Sequence, residues 1–290
     1  MDKTNVFTKN GKALVSKVRA SANLKESIET AVDLIGGFNK AISHGDKVFV
    51  KPNFNSDDPF PASSDPEFVK AAVRLLYEAG ASEVVIIESS GMAWFPTIKV
   101  VTKTGMVKAA KDCGAELRIL DDGEWVETAI NGKHLKQISI AKEAVDKTAK
   151  FVWLPCMKTH RYASFTLSLK LAIGLLNFQM RGHMHSGHLE EKIAELNLSV
   201  HPDLIIMDGR KCFITGGPDV GRLKNPNTIM ASGDRIAIDV EAIKMIRSFQ
   251  GSSLQADPWS YGQIRRSVEL GLGAKSEKDY QIIDKYTSSR

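Results

Sequence analysis

The chain has 290 residues and a mass of 31.8 kDa, which at ~150 residues per domain means one large or two modest domains. With 43% hydrophobic and 25% charged residues it is composed like an ordinary globular protein, and disorder, collagen and a coiled coil are excluded as descriptions of the whole. The net charge of +5 sits within residues 1–25, where Lys3, Lys9, Lys12, Lys17, Arg19 and Lys25 face Asp2 alone, so the body of the protein has no basic excess with which to hold nucleic acid.

The first residues lack the apolar core of a signal peptide, and no apolar run approaches the ~20 residues of a membrane helix. The expectation is a soluble, cytoplasmic protein without membrane or nucleic-acid partners, its basic N-terminal segment forming a solvated edge. Cys113, Cys156 and Cys212 are scattered, with no C-x-x-C pair for zinc or a cluster and no disulfide framework, which fits a reducing compartment. Cys156 falls at a strand end, as a packed thiol or as a nucleophile or ligand.

In chain order, the apolar spacing Ala31, Leu34, Ile35, Phe38 and Ile42 predicts a helix over Ser27–Ile42. Lys47–Val50 reads as a buried strand. Asp65-Pro66 caps and starts a helix, Glu67–Ala79, that ends at Gly80. Glu83–Ser89 reads as a strand, Lys99–Asp112 as a helix stopping at Gly114, and Glu116–Asp121 as a strand. Asn131-Gly132 between two β-prone runs predicts a tight hairpin inserted at about residues 122–142. Phe151–Cys156 is a further strand, and Leu167–Leu176 and Leu189–Val200 are helices flanking a Gly/His-rich loop. Asp203–Asp208 and Thr228–Ser232 are strands, Ile236–Phe249 and Tyr261–Leu270 helices, and Tyr280–Asp284 a last strand. Continuous apolar strands alternating with helices predict one α/β domain over 1–290, its mostly parallel sheet covered on both faces.

In such sheets ligands sit beyond the carboxyl ends of the strands. The expected strand ends deliver Lys51 and Asn53, then Glu88 and Ser89, then Cys156, Lys158 and His160, then Asp208 and Arg210, then Gly233-Asp234. Two lysines at one edge suit a carboxylate or phosphate. Lys51 precedes a proline, which keeps it extended and aims its amine along the strand. Lys51, Lys158, His160 and Asp208 are the candidate catalytic residues, and Asn53, Ser89, Arg210 and Gly217 the candidate substrate-binding ones. The plain alternative is an ion-pair network of lysines and aspartates.

Residues 181–188 hold His183, His185 and His188, three of the seven histidines. Spacing of two puts His183 and His185 on one side of an extended segment, and Ser186 is placed to cap the next helix. A divalent transition metal held by the three, acid–base or anion-binding work, and a structural role all stay open; no zinc signature matches. Gly216–Gly221 is neither a dinucleotide fingerprint nor a Walker loop, and reads as a tight turn or as a loop closing over the strand-end site.

In the order KVFVKPN, LPCMKTH, TLSLKLAIG, a histidine loop, LIIMDG, GGPDVG, IMASGDRIAID and IRRSVELGLG, the chain resembles the domain of unknown function 362 family over about Lys47 to Gly273. The resemblance implies an α/β domain with no general assigned reaction. It also implies Lys51, Asn53, Lys158, His160, Lys170, one of the three loop histidines, Asp208, Gly217, Pro218, Asp234 and Asp239 as pattern positions. Many members carry a ferredoxin-like cysteine module; three scattered cysteines cannot build a four-cysteine cluster, so no intrinsic iron–sulfur cluster is expected. The family's Lys-Asn stands here as Lys170-Leu171, and Lys170 reads as a snorkelling side chain. Three functions remain: an enzyme acting on a small anionic metabolite, metal-assisted or not; a metal or anionic-cofactor binding protein; and a redox subunit working with a separate iron–sulfur protein.

Overall fold

The computed structural model describes residues 4–91 and 95–285, so Asp2 and Lys3 lie outside the described residues. The basic N-terminal segment is a solvated edge only in part. β1 (Thr8–Lys9) and β2 (Lys12–Arg19) form a hairpin, and Ala13 to Ser16 on β2 are buried in succession. Charge misled here because the basic residues occupy the strand's two exposed ends, while Lys17 reaches the Glu241 carboxylate at 2.5 Å.

α1 (Leu24–Asp33) is capped by Asn23, whose Oδ1 accepts from Glu26 N, and it ends well before Ile42. Gly36 and Gly37 stand at φ 120° and 86°, outside helical space, yet Ile35, Phe38 and Ile42 remain buried. β3 (Lys47–Lys51), α2 (Pro66–Glu78) and β4 (Glu83–Glu88) follow the sequence reading, with Asp65 accepting from Glu67 N. The expected helix over Lys99–Asp112 is two, α3 (Thr97–Lys103) and α4 (Met106–Asp112), broken at Gly105 with φ 86°.

After β5 (Glu116–Ile119) the hairpin of β6 (Trp125–Ala129) and β7 (Gln137–Ala141) forms a separate two-stranded sheet. Its connection is not the tight Asn-Gly turn. The strands close at Ile130 N to Lys136 O, and the N–H groups of Lys133, His134 and Leu135 each donate at 2.8 Å to the buried Glu195 carboxylate. A distant carboxylate thus fixes the loop and overrides the local turn signal.

β8 (Lys150–Trp153) does not run through Cys156. The chain breaks at Leu154-Pro155 and resumes as β9 (Cys156–His160), which pairs antiparallel with β10 (Ser164–Thr166). α5 (Ser168–Leu171), α6 (Phe178–Met184) and α7 (Leu189–Leu196) lead to the long β11 (Leu204–Gly216), then β12 (Gly221–Lys224) and β13 (Thr228–Ser232). α8 (Arg235–Ser248), α9 (Gly262–Glu269) and β14 (Tyr280–Lys285) complete the chain.

The main sheet is mixed and mostly parallel. Its order is β1-β2-β13-β11-β8-β3-β4-β5, with β11, β8, β3, β4 and β5 parallel and β14 parallel to β2. Alternate strand residues feed two cores. Val48, Val50, Val84 and Ile86 pack under α1 to α4, and Phe49, Val85, Trp153 and Met207 pack under α5, α7, α8, α9 and the hairpin. β13 is antiparallel to β11, so its carboxyl end, Gly233-Asp234, lies at the opposite sheet edge from the other strand ends. Asp234 is spent there on the N-terminus of α8, accepting from Ile236 N and Ala237 N at 2.9 Å. Among the described residues, no helix is long and apolar enough to cross a membrane.

Candidate functional site

Beyond the carboxyl ends of β3 and β4 lies a cavity of about 370 Å³, closed on its other sides by β9, β10, α5 and the Gly217–Asp219 loop. Lys51 ends β3, and Glu88 ends the neighbouring β4. The Lys51 amine meets Glu88 Oε1 at 2.5 Å and donates to Pro52 O at 2.8 Å. The Glu88 carboxylate also accepts from Phe54 N at 2.8 Å and Ser89 N at 2.9 Å, so both oxygens are used. Burial pushes the Lys51 amine below its ordinary range, and Glu88 pulls it back. Gly174 lies against the pair: a Cβ there would stand 2.9 Å from the Lys51 amine and 3.4 Å from Glu88 Oε1.

Lys158 and His160 sit two apart on β9 and line the cavity together. The Lys158 amine, wholly buried, donates to Ala62 O, with Asn53 Oδ1 at 3.5 Å, and burial lowers its pKa. His160 Nδ1 accepts from Tyr162 N at 3.1 Å and Ala163 N at 3.2 Å. That fixes the neutral ring with its proton on Nε2. Burial, then the positive charges of Lys170 and Lys158, push the imidazole down to about 2. With Nδ1 occupied, His160 offers Nε2–H as a hydrogen-bond donor.

Lys170 enters from α5. The start of that helix is held by Asp239, buried on α8, which accepts from Ser168 N at 2.8 Å, Ser168 Oγ at 2.7 Å and Leu169 N at 3.0 Å. Burial and the charge of Lys158 push Lys170 down to about 7. It does not merely snorkel, since it lines the cavity. Arg181, on α6, stacks over Phe178 at 5.1 Å and donates to the carbonyls of Leu176, Gly174 and Ser90; burial pushes it down to about 10.

The glycine loop closes over this edge. Gly217 has φ 72°, and a Cβ there would stand 2.0 Å from Thr159 O, so only glycine lets the loop lie on β9. Pro218 and Asp219 line the rim, where Asn55 Nδ2 donates to Asp219 Oδ1 at 3.1 Å. Ser89 lines the cavity while donating to Asp121 Oδ1 at 2.7 Å.

Of the candidate residues, Lys51, Asn53, Ser89, Lys158, His160 and His185 line the cavity, and Asp208, Arg210, Gly217, His183 and His188 do not. Asp208 takes the Arg210 guanidinium at 2.9 and 2.7 Å, and Arg210 reaches on to Asp65 at 2.7 Å and lies over Phe60 and Phe68. This is an ion pair beside the cavity. The histidine segment is not extended. α6 runs through His183, which turns His183 and His185 to different sides of a helix of 3.6 residues per turn. His188, not Ser186, is the N-cap residue of α7, and it stacks on His134 at 4.0 Å. Among the described residues, no group of three or more His, Cys, Asp or Glu side chains is arranged to hold a metal ion. Burial pushes the Cys156 thiol up to about 11, the wrong direction for a nucleophile. Thr166, Gly174 and Arg181 were not singled out as site residues: the first two stand at the ends of the TLSLKLAIG run with nothing to mark them as cavity-lining, and the last at the head of the histidines.

Residues 48–244 match the family described as domain of unknown function (DUF362), and the chain belongs to it. A thylakoid-associated protein of Synechocystis sp. is 24% identical over 274 residues, covering 92% of this chain and 81% of that protein. Two solved structures align with it weakly. A Thermotoga maritima protein aligns at TM-score 0.47 and 10% identity over 77% of this chain and 56% of its own. The lactate racemase apoprotein from Thermoanaerobacterium thermosaccharolyticum aligns at TM-score 0.41 and 10% identity over 85% of this chain and 60% of its own. The chain thus spans less than two thirds of either solved protein.

Proposed function

We propose that this family member is an enzyme whose cavity binds a small anionic metabolite and works on it with lysine and histidine. The observation that carries the reading is the convergence of three lysine side chains, from β3, β9 and α5, on one 370 Å³ space. That volume is in the range of small-molecule sites. Among the described residues, Lys51 alone of the three amines has a carboxylate in contact. Buried cations without counter-charge are costly, and an anionic ligand offsets that cost.

In this reading Lys158 and Lys170 face the anion, and Asn53 steadies Lys158. His160 donates from Nε2 to a ligand oxygen, and Lys170, the amine nearest to neutrality, is the group able to take a proton. Lys51 with Glu88, and Asp208 with Arg210, hold the walls.

The test is thermal unfolding of the wild type and Lys158→Gln against malate, oxaloacetate, citrate and phosphate at low salt. A ligand at 100 times its Kd raises stability by about 2.7 kcal/mol. At least one anion should stabilise the wild type, and the variant should lose roughly tenfold or more in affinity, as for a charge-assisted hydrogen bond. No stabilisation by any of the four would refute the reading. Binding without conversion of any bound anion would leave a carrier in place of an enzyme.

A further inference from the structure

The polar groups of the cavity fall into two sets. The first is engaged by the protein: Lys51 by Glu88 and Pro52 O, Lys158 by Ala62 O, and Arg181 by three main-chain carbonyls. The second is not. Among the described residues, the Lys170 amine meets no protein acceptor, the Thr166 hydroxyl is buried without a partner in a residue only 4% exposed, and His160 Nε2 has no acceptor. A buried polar atom is nearly always paired, so the unpaired Thr166 hydroxyl, beside two further cavity groups without partners, marks where a ligand's own polar atoms belong.

The backbone explains why these groups gather. In the β9–β10 register Thr166 stands opposite Lys158, and Lys158 and His160 are two apart on β9, so all three project from one face of the hairpin. Lys170 follows Thr166 by four residues, on the short helix that Asp239 holds in place.

Building on the anion-binding reading above, we propose that Lys170 is a nucleophilic amine that takes a carbonyl compound bearing an anionic group, a 2-oxo acid or a phosphorylated ketone, as a Schiff base. The lone pair of the neutral amine adds to the carbonyl carbon. Two protons from nitrogen pass to the carbonyl oxygen, which leaves as water, and a C=N bond remains; no oxidant or reductant is needed. His160 Nε2–H and the Thr166 hydroxyl face the carbonyl oxygen and polarise it. Lys158 and Arg181 supply positive charge for the carboxylate or phosphate. Desolvation and a neighbouring cation are the usual means of activating such a lysine, and both act on Lys170.

The test uses the whole protein with pyruvate, 2-oxoglutarate and dihydroxyacetone phosphate, each with sodium cyanoborohydride, read by intact mass and peptide mapping. The expected result is one adduct per chain, of the probe's mass less one oxygen, mapped to Lys170 and lost in Lys170→Arg. Mapping on the wild type keeps the result independent of how the variant folds. No adduct from any probe, or adducts on Lys51, Lys158 or scattered surface lysines, would overturn the proposal. Malate and phosphate, which have no carbonyl, separate the two claims. If they stabilise the protein while trapping fails, the anion site stands and the Schiff base falls; if neither occurs, both fall.

Discussion

Lys51 and Lys170 open onto the same cavity and are held in opposite ways. Lys51 is locked between a carboxylate and a carbonyl at the end of the central sheet, and its partner Glu88 is itself held by two main-chain N–H groups. Lys170 stands on a single helical turn and, among the described residues, has no acceptor of its own. Both lysines lie in runs that the sequence singles out, KVFVKPN and TLSLKLAIG, yet Lys51 has two of its three donors engaged and Lys170, among the described residues, has none. A cavity lined with cations is thus partly wall and partly site, and partner count tells the two apart.

The sharpest way to break this contrast is to remove Lys51. Lys51→Met leaves Glu88 buried without its cation and should cost about 3–5 kcal/mol in urea unfolding. Lys51→Met with Glu88→Leu should recover most of it; a single variant as stable as the wild type would remove Lys51 from the wall. Next in size is Asp239→Ala, which strips three donors at the start of α5 of their acceptor. A loss of about 2–3 kcal/mol is expected. Anion affinity should fall with it, because Lys170 is no longer positioned; unchanged affinity would mean that the Asp239 cap does not place Lys170.

Gly217→Ala is expected to cost about 1–3 kcal/mol, since both its φ of 72° and the contact with Thr159 O forbid a Cβ. Thermal melts measure the loss, and the rim formed by Pro218 and Asp219 should open, giving weaker anion binding. A pH dependence accompanies these losses. Lys170 is lowered to about 7 when folded and titrates near 10.5 when unfolded, so the unfolded state holds the extra proton between those values. Its burial penalty is fully present below about 7 and fades as pH rises toward 10.5. Lys170→Met should therefore gain more in Tm at pH 6 than at pH 9. An equal gain at both would mean that Lys170 titrates normally.

Much of the fold was legible because its signals are local. Asp65-Pro66, the apolar run of β3 and β4, and the alternation of helices and strands specify themselves, and they place Lys51 and Glu88 at one edge. Errors arose where distant groups decide. The Asn131-Gly132 turn yields to Glu195, sixty residues on, and β13 reverses direction, which carries Asp234 to the far edge. Three histidines close in sequence part because α6 runs through His183. The cationic cavity itself was readable from strand ends, but its unpaired subset was not. Thr166 opens the TLSLKLAIG run with nothing to show that its hydroxyl goes unpaired, and whether a lysine finds a partner depends on folded neighbours, as Lys158 with Ala62 and Lys170, among the described residues, with none.

The central claim is that the unpaired end of the cavity is where polar oxygen atoms of an anionic ligand bind. A crystal structure of the wild type grown with malonate measures this directly. The account expects a carboxylate within hydrogen-bond distance of the Lys170 amine, the Thr166 hydroxyl and His160 Nε2, with the Lys51–Glu88 pair intact. A carboxylate that instead displaced Glu88 from Lys51, or a cavity holding only water while the anion lay elsewhere, would contradict it.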